Sequence, residues 1–444
     1  MLGTSSAAPT PAKKIISRML VPSCPCHASS RALIILMAES DGRIIDNDLD
    51  SMTCSVLYAY IRSLSPPQNA FTSLYVPVTN IPSVDIQLRP EFLAVFRHAN
   101  IESEHMITLD DLPELSVIKS KLRPENTKWI LVDHNALQGE LGRIYSDRVG
   151  GVIDHHEDEG KAPKETGCEP LVIAKSGSCT SLVSEYCRQA WDLLSDSAIS
   201  SGAAHAQGDS LSDDHSVTTL WDAQVAQLGL ASILIDTSDL QSKDKTTEHD
   251  IKAAKYLEAK ILTCPQLAPQ FDRSKFFQEI NTAKKDIGRI NLQGILRKDY
   301  KQWNDGGPVL GVSSVVKPID FLQEKARDED DTQAMDKAFL GTLRTFGKAR
   351  GLDLYAVMTT STSLAGEFQR ELLLWAFNEE GVSAAKKFAS DAKEELGLVD
   401  WNSSHEDGIS LEQQGEKEWR RVWWQQRVQH SRKRVAPLLR EAMV

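Results

Sequence analysis

Three short apolar runs of this chain close on an aspartate: "WILVD" at Asp133, "GVID" at Asp154 and "ASILID" at Asp236. His134 and Asn135 follow the first, and His155 and His156 follow the second. A fourth stretch, "DNDLDS", sets Asp48 and Asp50 just before a helical run whose apolar face carries Met52, Val56 and Tyr60. An aspartate after a strand is often a helix cap. Four of them beside a His-His pair suit another task, because carboxylates gathered in one cleft repel one another until a divalent cation neutralises them. Oxygen and imidazole donors without clustered thiolates match Mn²⁺ or Mg²⁺ better than a structural zinc.

The elements that must position these groups can be read from the pattern around them. Between about residues 31 and 262, short apolar runs alternate with helical segments, the signature of an α/β domain with a mainly parallel sheet. In an open parallel sheet the strand ends share one edge, where ligands of such folds gather. "ALIILMA" (32–38) and "ASILI" (231–235) have strand length. Residues 195–218, rich in Ser, Asp, Gly and Ala, read as a disordered surface insertion, so His205 and His215 are left out of the site. "CPQLAP" (264–269) reads as a linker to a second α/β domain over 270–441, with strands at 308–316 and 352–360. Residues 407–419 read as a polar loop, and Trp419 and Trp423 have the spacing of a helix packed on its domain.

Composition narrows the function classes. A chain of 444 residues predicts two cores. The formal net charge of −12 repels polyanions, so a phosphate-rich substrate needs a local basic cleft or metal ions. No apolar run is long enough to cross a bilayer, and no membrane partner is expected. Seven scattered cysteines disfavour a disulfide framework and fit a reducing compartment. Residues 1–30, basic and without an acidic residue, read as a disordered or targeting tail; the cytoplasm is expected, with the mitochondrion as the alternative. There is no "GxxxxGK[ST]" or "GxSxG".

Taken in order, "DLDS" (48–51), "VDHN" (132–135), "IDHHED" (153–158) and "LIDTSDL" (234–240) resemble the motifs of the DHH phosphoesterase superfamily. "IPSVDIQLRPEF" (81–92), "SGSCTSLV" (176–183) and "SRKRVAPLL" (431–439) point, within the branch that holds animal prune and the family II inorganic pyrophosphatases, to a fungal-type exopolyphosphatase. The resemblance implies an N-terminal DHH domain with a parallel sheet, a C-terminal α/β domain of DHHA2 type, and an active site in the cleft between them. It implies two divalent cations held by Asp48, Asp50, Asp133, His155 and Asp236, with Asp133 and Asp236 bridging. Asp154 would orient the histidine pair, and His156 would face the substrate as acid or charge stabiliser; His134, also a candidate for substrate binding, and Asn135 would buttress the site. Two cations about 3.5–4 Å apart can share and activate a water for in-line attack. The implied reaction is release of orthophosphate from the end of inorganic polyphosphate.

A polyanion also needs protein cations, and the family supplies them from its second domain. Candidates are Lys298 and Lys301 in "ILRKDYKQW", Lys317 in "SSVVKP", and Arg432 and Lys433 in "SRKR". The aromatic and basic mixture "RRVWWQQRVQHSRKR" also permits a nucleic-acid reading, which ranks low. The chain is expected to be a monomer.

The first motif departs from the family pattern. If "MAES" (37–40) aligns with the family's Gly-Asn-Glu-Ser, Ala38 stands where an Asn belongs and about six extra residues precede the "DLD". Two alternatives to an exopolyphosphatase follow: a pyrophosphatase or nucleoside polyphosphate hydrolase using the same residues, or a prune-like scaffold with an impaired first metal motif.

Overall fold

Five parallel strands carry the first half of the chain in the computed structural model, which describes residues 32–37, 49–137, 139–204, 211–304, 307–363, 365–401 and 411–443. The 1–30 tail, Asp48 with the altered first motif, the centre of the 195–218 segment and residues 407–410 of the expected polar loop lie outside the described residues, while the rest of that loop carries a short strand at Gln413–Gln414. The strands are β1 (Leu33–Met37), β2 (Tyr75–Val78), β3 (Thr127–Val132), β4 (Val149–Asp154) and β5 (Leu171–Ile173), in the order β2-β1-β3-β4-β5. That order reverses direction between β1 and β3, and the carboxyl ends of strands at such a switch point form the natural ligand crevice of an α/β sheet. Ile34, Leu36, Ile130 and Ile153 are fully buried, as are Trp129, Leu131 and Val152 of the alternate face, so both faces of the sheet are covered.

The helices of this half are α1 (Leu49–Leu64), α2 (Pro90–Ala99), α3 (Gly139–Tyr145), α4 (Cys179–Ala204), α5 (Leu211–Asp236), α6 (Glu248–Leu262) and α7 (Arg273–Lys285). Two expectations change here. "ASILI" is not a strand but the end of α5, so Asp236 terminates a helix. Ala226, Leu228, Leu230, Ala231, Ile233 and Leu234 of that helix are all fully buried, and a helix buried on every side has no polar stripe to betray its period. Gly229 lets it come close: a Cβ there would stand 3.0 Å from side-chain carbons of both Leu57 and Leu257.

The second change concerns the segment 195–218. Helices α4 and α5 run through its two ends, 195–204 and 211–218, despite a composition poor in apolar residues. Its start is pinned: Ser195 donates to Asp222 across 2.8 Å and accepts from the Lys260 ammonium at 2.8 Å, while Asp222 also receives Tyr60. A polar residue buried with partners holds a helix where composition alone predicts a loop.

The change from first to second unit falls between Lys284 and Lys285, later than the linker expected at 264–269, which forms a short turn ahead of α7. The second unit has β6 (Tyr300–Trp303), β7 (Leu310–Val315), β8 (Leu354–Thr362), β9 (Phe368–Ala376), β10 (Leu398–Asp400), β11 (Gln413–Gln414) and β12 (Trp419–Gln425), arranged β10-β12-β9-β8-β7-β6 with β11 on β12. Only β7 and β8 run parallel. Its helices are α8 (Leu292–Lys298), α9 (Ile319–Glu329), α10 (Met335–Ala349), α11 (Glu379–Asp391) and α12 (Arg432–Ala442). Trp419 and Trp423 sit on a strand, not a helix, and pair with Ala376 and Leu372 of β9. Positions i and i+4 face the same way in both structures, so their spacing could not decide between them.

Candidate metal centre

The end of β3 turns sharply at Asp133, whose φ of +64° lies in the left-handed region. A non-glycine residue there is uncommon, though aspartate tolerates it better than most. The turn is held by the Asp133 amide on the Ile153 carbonyl at 2.9 Å, and it buries the carboxylate beside the end of β4. Asp133 Oδ1 lies 3.2 Å from His155 Nε2 and 4.0 Å from His156 Nδ1, while the Ser51 hydroxyl, in the first turn of α1, donates to Oδ2. Ligand atoms of Asp133, His155 and His156 all lie within 4.8 Å of one another.

His155 places its other ring nitrogen on the Ser176 carbonyl at 3.1 Å. Burial works against its charge, but the hydrogen bond to Asp133 and the charges of Asp50 and Asp133 prevail and hold its pKa up at about 10. A site that favours the charged form of a partly buried imidazole favours cations, and an imidazole with carboxylates is a donor set that fits a divalent ion.

Asp154, fully buried, gathers donors from its own loop and from Asn135. Its Oδ1 accepts from the amides of His155 (2.7 Å) and His156 (3.2 Å) and from His156 Nδ1 (2.8 Å), and its Oδ2 accepts from Asn135 Nδ2 at 2.6 Å. Burial alone would raise the Asp154 pKa, yet the His156 contacts and Asn135 bring it below the ordinary carboxylate value. His156 commits Nδ1 to Asp154 and has a side chain 57% exposed, which leaves Nε2 for other contacts. Its pKa is raised by the Asp154 hydrogen bond, against burial. His134 goes the other way: burial depresses its pKa to about 4 in spite of the Val132 carbonyl 3.0 Å from Nδ1. It is a neutral, buried ring at working pH.

Asp50 takes up an unexpected position. Its Oδ1 accepts from the hydroxyls of Ser178 (2.6 Å), Thr180 (2.6 Å) and Ser232 (2.9 Å) and from the Thr180 amide (2.9 Å), while its Oδ2 accepts the Cys179 amide at 2.6 Å. It therefore caps the N-terminus of α4, where a negative charge is favourable. Burial opposes its charge, but His155 and these donors bring its pKa below the usual value. Asp50 and Asp236 are not members of the three-residue group; Asp236 lies one helical turn beyond Ser232, on the end of α5 that also brings Thr237 against Gly177. A Cβ at Gly177 would stand 2.7 Å from the Thr237 methyl.

Residues 278–442 match the DHHA2 domain. The chain is 29% identical over 396 residues to a Schizosaccharomyces pombe protein named "Putative exopolyphosphatase", covering 89% of this chain and 88% of that one. It is 23% identical to human "Exopolyphosphatase PRUNE1", covering 89% and 73%. Against the "Manganese-dependent inorganic pyrophosphatase" of Methanocaldococcus jannaschii it is 24% identical, covering 65% and 85%. This chain thus carries a DHHA2 domain and is similar over most of its length to proteins named as exopolyphosphatases, hydrolases of phosphoric anhydrides.

Its DHHA2 domain holds the five cationic candidates. Arg432, first residue of α12, binds Asp299 through Nη1, 2.5 Å from Oδ1 and 3.3 Å from the carbonyl, and so stands beside Lys298 and β6, which carries Lys301. The Asp299 carbonyl also takes the Ser314 amide at 2.7 Å, tying the junction to β7. Lys317 follows β7 with its ammonium 5.6 Å from the Phe321 ring, and Lys433 is exposed on α12.

Sequence reasoning missed the hydroxyls that serve the DHH half: Ser51, Ser178, Thr180 and Ser232 reach Asp133 or Asp50. It also missed Asp250, which accepts the amides of Gly177 (2.9 Å) and Ser178 (3.1 Å) and of Thr247 (2.7 Å). The sequence "TEHD" (247–250) carries that signal as a capping box at the start of α6.

Proposed function

We propose that this protein is a metal-dependent exopolyphosphatase of the DHH type that removes the terminal phosphate of inorganic polyphosphate as orthophosphate. The observation that carries the reading is the Asp133–His155 pair, a buried carboxylate 3.2 Å from a partly buried imidazole whose charged form it favours against desolvation. Asp133 and His155 would bind a divalent ion, Mn²⁺ or Mg²⁺; the family motif adds Asp236 and also Asp50, whose oxygens here accept the donors that open α4. Such an ion supplies Lewis-acid charge neutralisation to a phosphoryl group.

The protein's own groups do the rest. His156 Nε2 is the proton-bearing atom left for other contacts, suited to donate to the departing phosphate oxygen. Asp154 keeps Nδ1 occupied, so the ring presents the same nitrogen each time. Arg432, Lys298, Lys301, Lys317 and Lys433 would bind the non-reacting phosphates of the polyanion, Arg432 with a guanidinium already oriented by Asp299.

The similarity to a manganese-dependent inorganic pyrophosphatase supports a second reading, hydrolysis of pyrophosphate by the same residues. Polyphosphates of defined length, followed by gel for stepwise shortening and compared with pyrophosphate at equal concentration, separate the two. Shortening by single phosphates at a higher rate than pyrophosphate cleavage supports the exopolyphosphatase; faster pyrophosphate cleavage favours the alternative.

A further inference from the structure

Asn135 follows the motif's His134 and joins the loops after β3 and β4. Its Nδ2 donates to Asp154 Oδ2 at 2.6 Å and to the Glu157 carbonyl at 2.9 Å, and its Oδ1 accepts the Glu159 amide at 2.9 Å. All of its side-chain amide bonds thus go to the segment that carries His155 and His156. Asn135 is 2% exposed and Asp154 is 0% exposed. From Asp154 the chain of contacts passes to His156 Nδ1 at 2.8 Å.

We propose that Asn135 is a positioning residue that acts through Asp154 to set the orientation of the His156 ring. Three donors on Oδ1 already resist rotation of the Asp154 carboxylate about χ2, and a bond to its second oxygen stiffens that torsion further. Asn135 supplies that bond, and its two bonds to Glu157 and Glu159 hold the backbone beyond the ring as well. The pair of restraints leaves His156 one arrangement, with Nδ1 on Asp154 and Nε2 left for other contacts. A side chain on an exposed loop acquires in this way the precision that ordinarily requires a rigid element.

The inference rests on the reading of His156 as the group that meets phosphate, and two readouts keep the two ideas apart. The first is independent of activity: ¹H–¹⁵N spectra of the histidine rings in the metal-free protein. In the wild type the His156 Nδ1 proton is expected to exchange slowly with water; in Asn135→Ala its exchange should quicken by about tenfold or more, while the His134 signals stay in place. Unchanged exchange in a folded variant overturns the proposal whether or not the protein hydrolyses polyphosphate.

The second readout is a double-mutant cycle on orthophosphate release. Asn135→Ala is expected to lower kcat on the order of 100-fold with KM changed little. The same substitution in a His156→Ala background should lower it less than about twofold, because the residue acts through the ring. Equal losses in both backgrounds mean a merely structural role and overturn the proposal, as does an unaltered kcat. Should the Ala variant fail to fold, Asn135→Ser, which retains a hydrogen-bonding group, carries both measurements. A wild type without hydrolytic activity defeats the functional reading and leaves the ring-exchange test standing.

Discussion

Ser232, near the end of α5, donates its hydroxyl to Asp50 in the first turn of α1 across 2.9 Å. The same carboxylate accepts the Cys179 and Thr180 amides that open α4, so one side chain ties three helices together behind the candidate metal centre. Replacing Asp50 with Ala leaves buried donors without their acceptor and removes the negative charge at a helix N-terminus. The expected loss is about 3 kcal/mol or more in denaturant unfolding, and about 1 kcal/mol for Ser232→Ala. An Asp50→Ala midpoint equal to the wild type's would show that these donors do not depend on Asp50.

The raised pKa of His155 links metal binding to pH. As a ligand the ring must lose its proton, and without metal it keeps that proton up to about pH 10. Mn²⁺ binding near pH 7 should therefore release about one proton, and affinity should rise about tenfold per pH unit between pH 6 and 8. Calorimetry in two buffers of different ionisation enthalpy measures the proton count; binding with no proton uptake by the buffer contradicts the expectation. For the metal-free protein the sign is opposite. A folded pKa above the unfolded value adds stability that is complete below about pH 6.5 and is lost as pH rises through about 10.

The left-handed backbone at Asp133 makes two substitutions there differ. Asn tolerates that conformation, so in urea without metal Asp133→Asn should lose the stability of the pairing with His155 but carry no backbone strain. Asp133→Ala should carry about 1 kcal/mol of additional strain. Both should weaken Mn²⁺ binding strongly, which separates the backbone contribution from the carboxylate's. Equal stability of the two variants would remove the backbone argument.

In the DHHA2 domain, Arg432→Lys keeps a positive charge but loses the planar fork that Asp299 orients. KM for polyphosphate should rise about tenfold with a smaller change in kcat, and added salt should narrow the difference from wild type. An unchanged KM would take Arg432 out of substrate binding.

What was legible in the sequence follows from how local each signal is. "WILVD" and "GVID" read correctly as strands because each is a short apolar run closed by a polar turn, and the parallel sheet followed from their alternation with helices. "ASILID" looks the same over six residues and is helical, since burial on all sides erases the periodicity that distinguishes the two. Trp419 and Trp423 failed for a related reason: a spacing of four fits either element, and only pairing with β9, a long-range fact, makes it a strand. The helical start of 195–218 is tied through Ser195 to Lys260 and Asp222, which lie outside that segment. In the site, the residue types at Asp133, His155 and His156 were readable from motif order. The Asp50 cap was not, because its donors come from residues 178–180 and 232, which meet only once the helices pack.

The most direct test of the central claim is orthophosphate release from long-chain polyphosphate by the purified protein, with Mn²⁺, with Mg²⁺ and with EDTA, alongside Asp133→Asn. The account predicts release with a divalent ion, none with EDTA, and a loss of several orders of magnitude in the variant. Release that survives both EDTA and Asp133→Asn would contradict it.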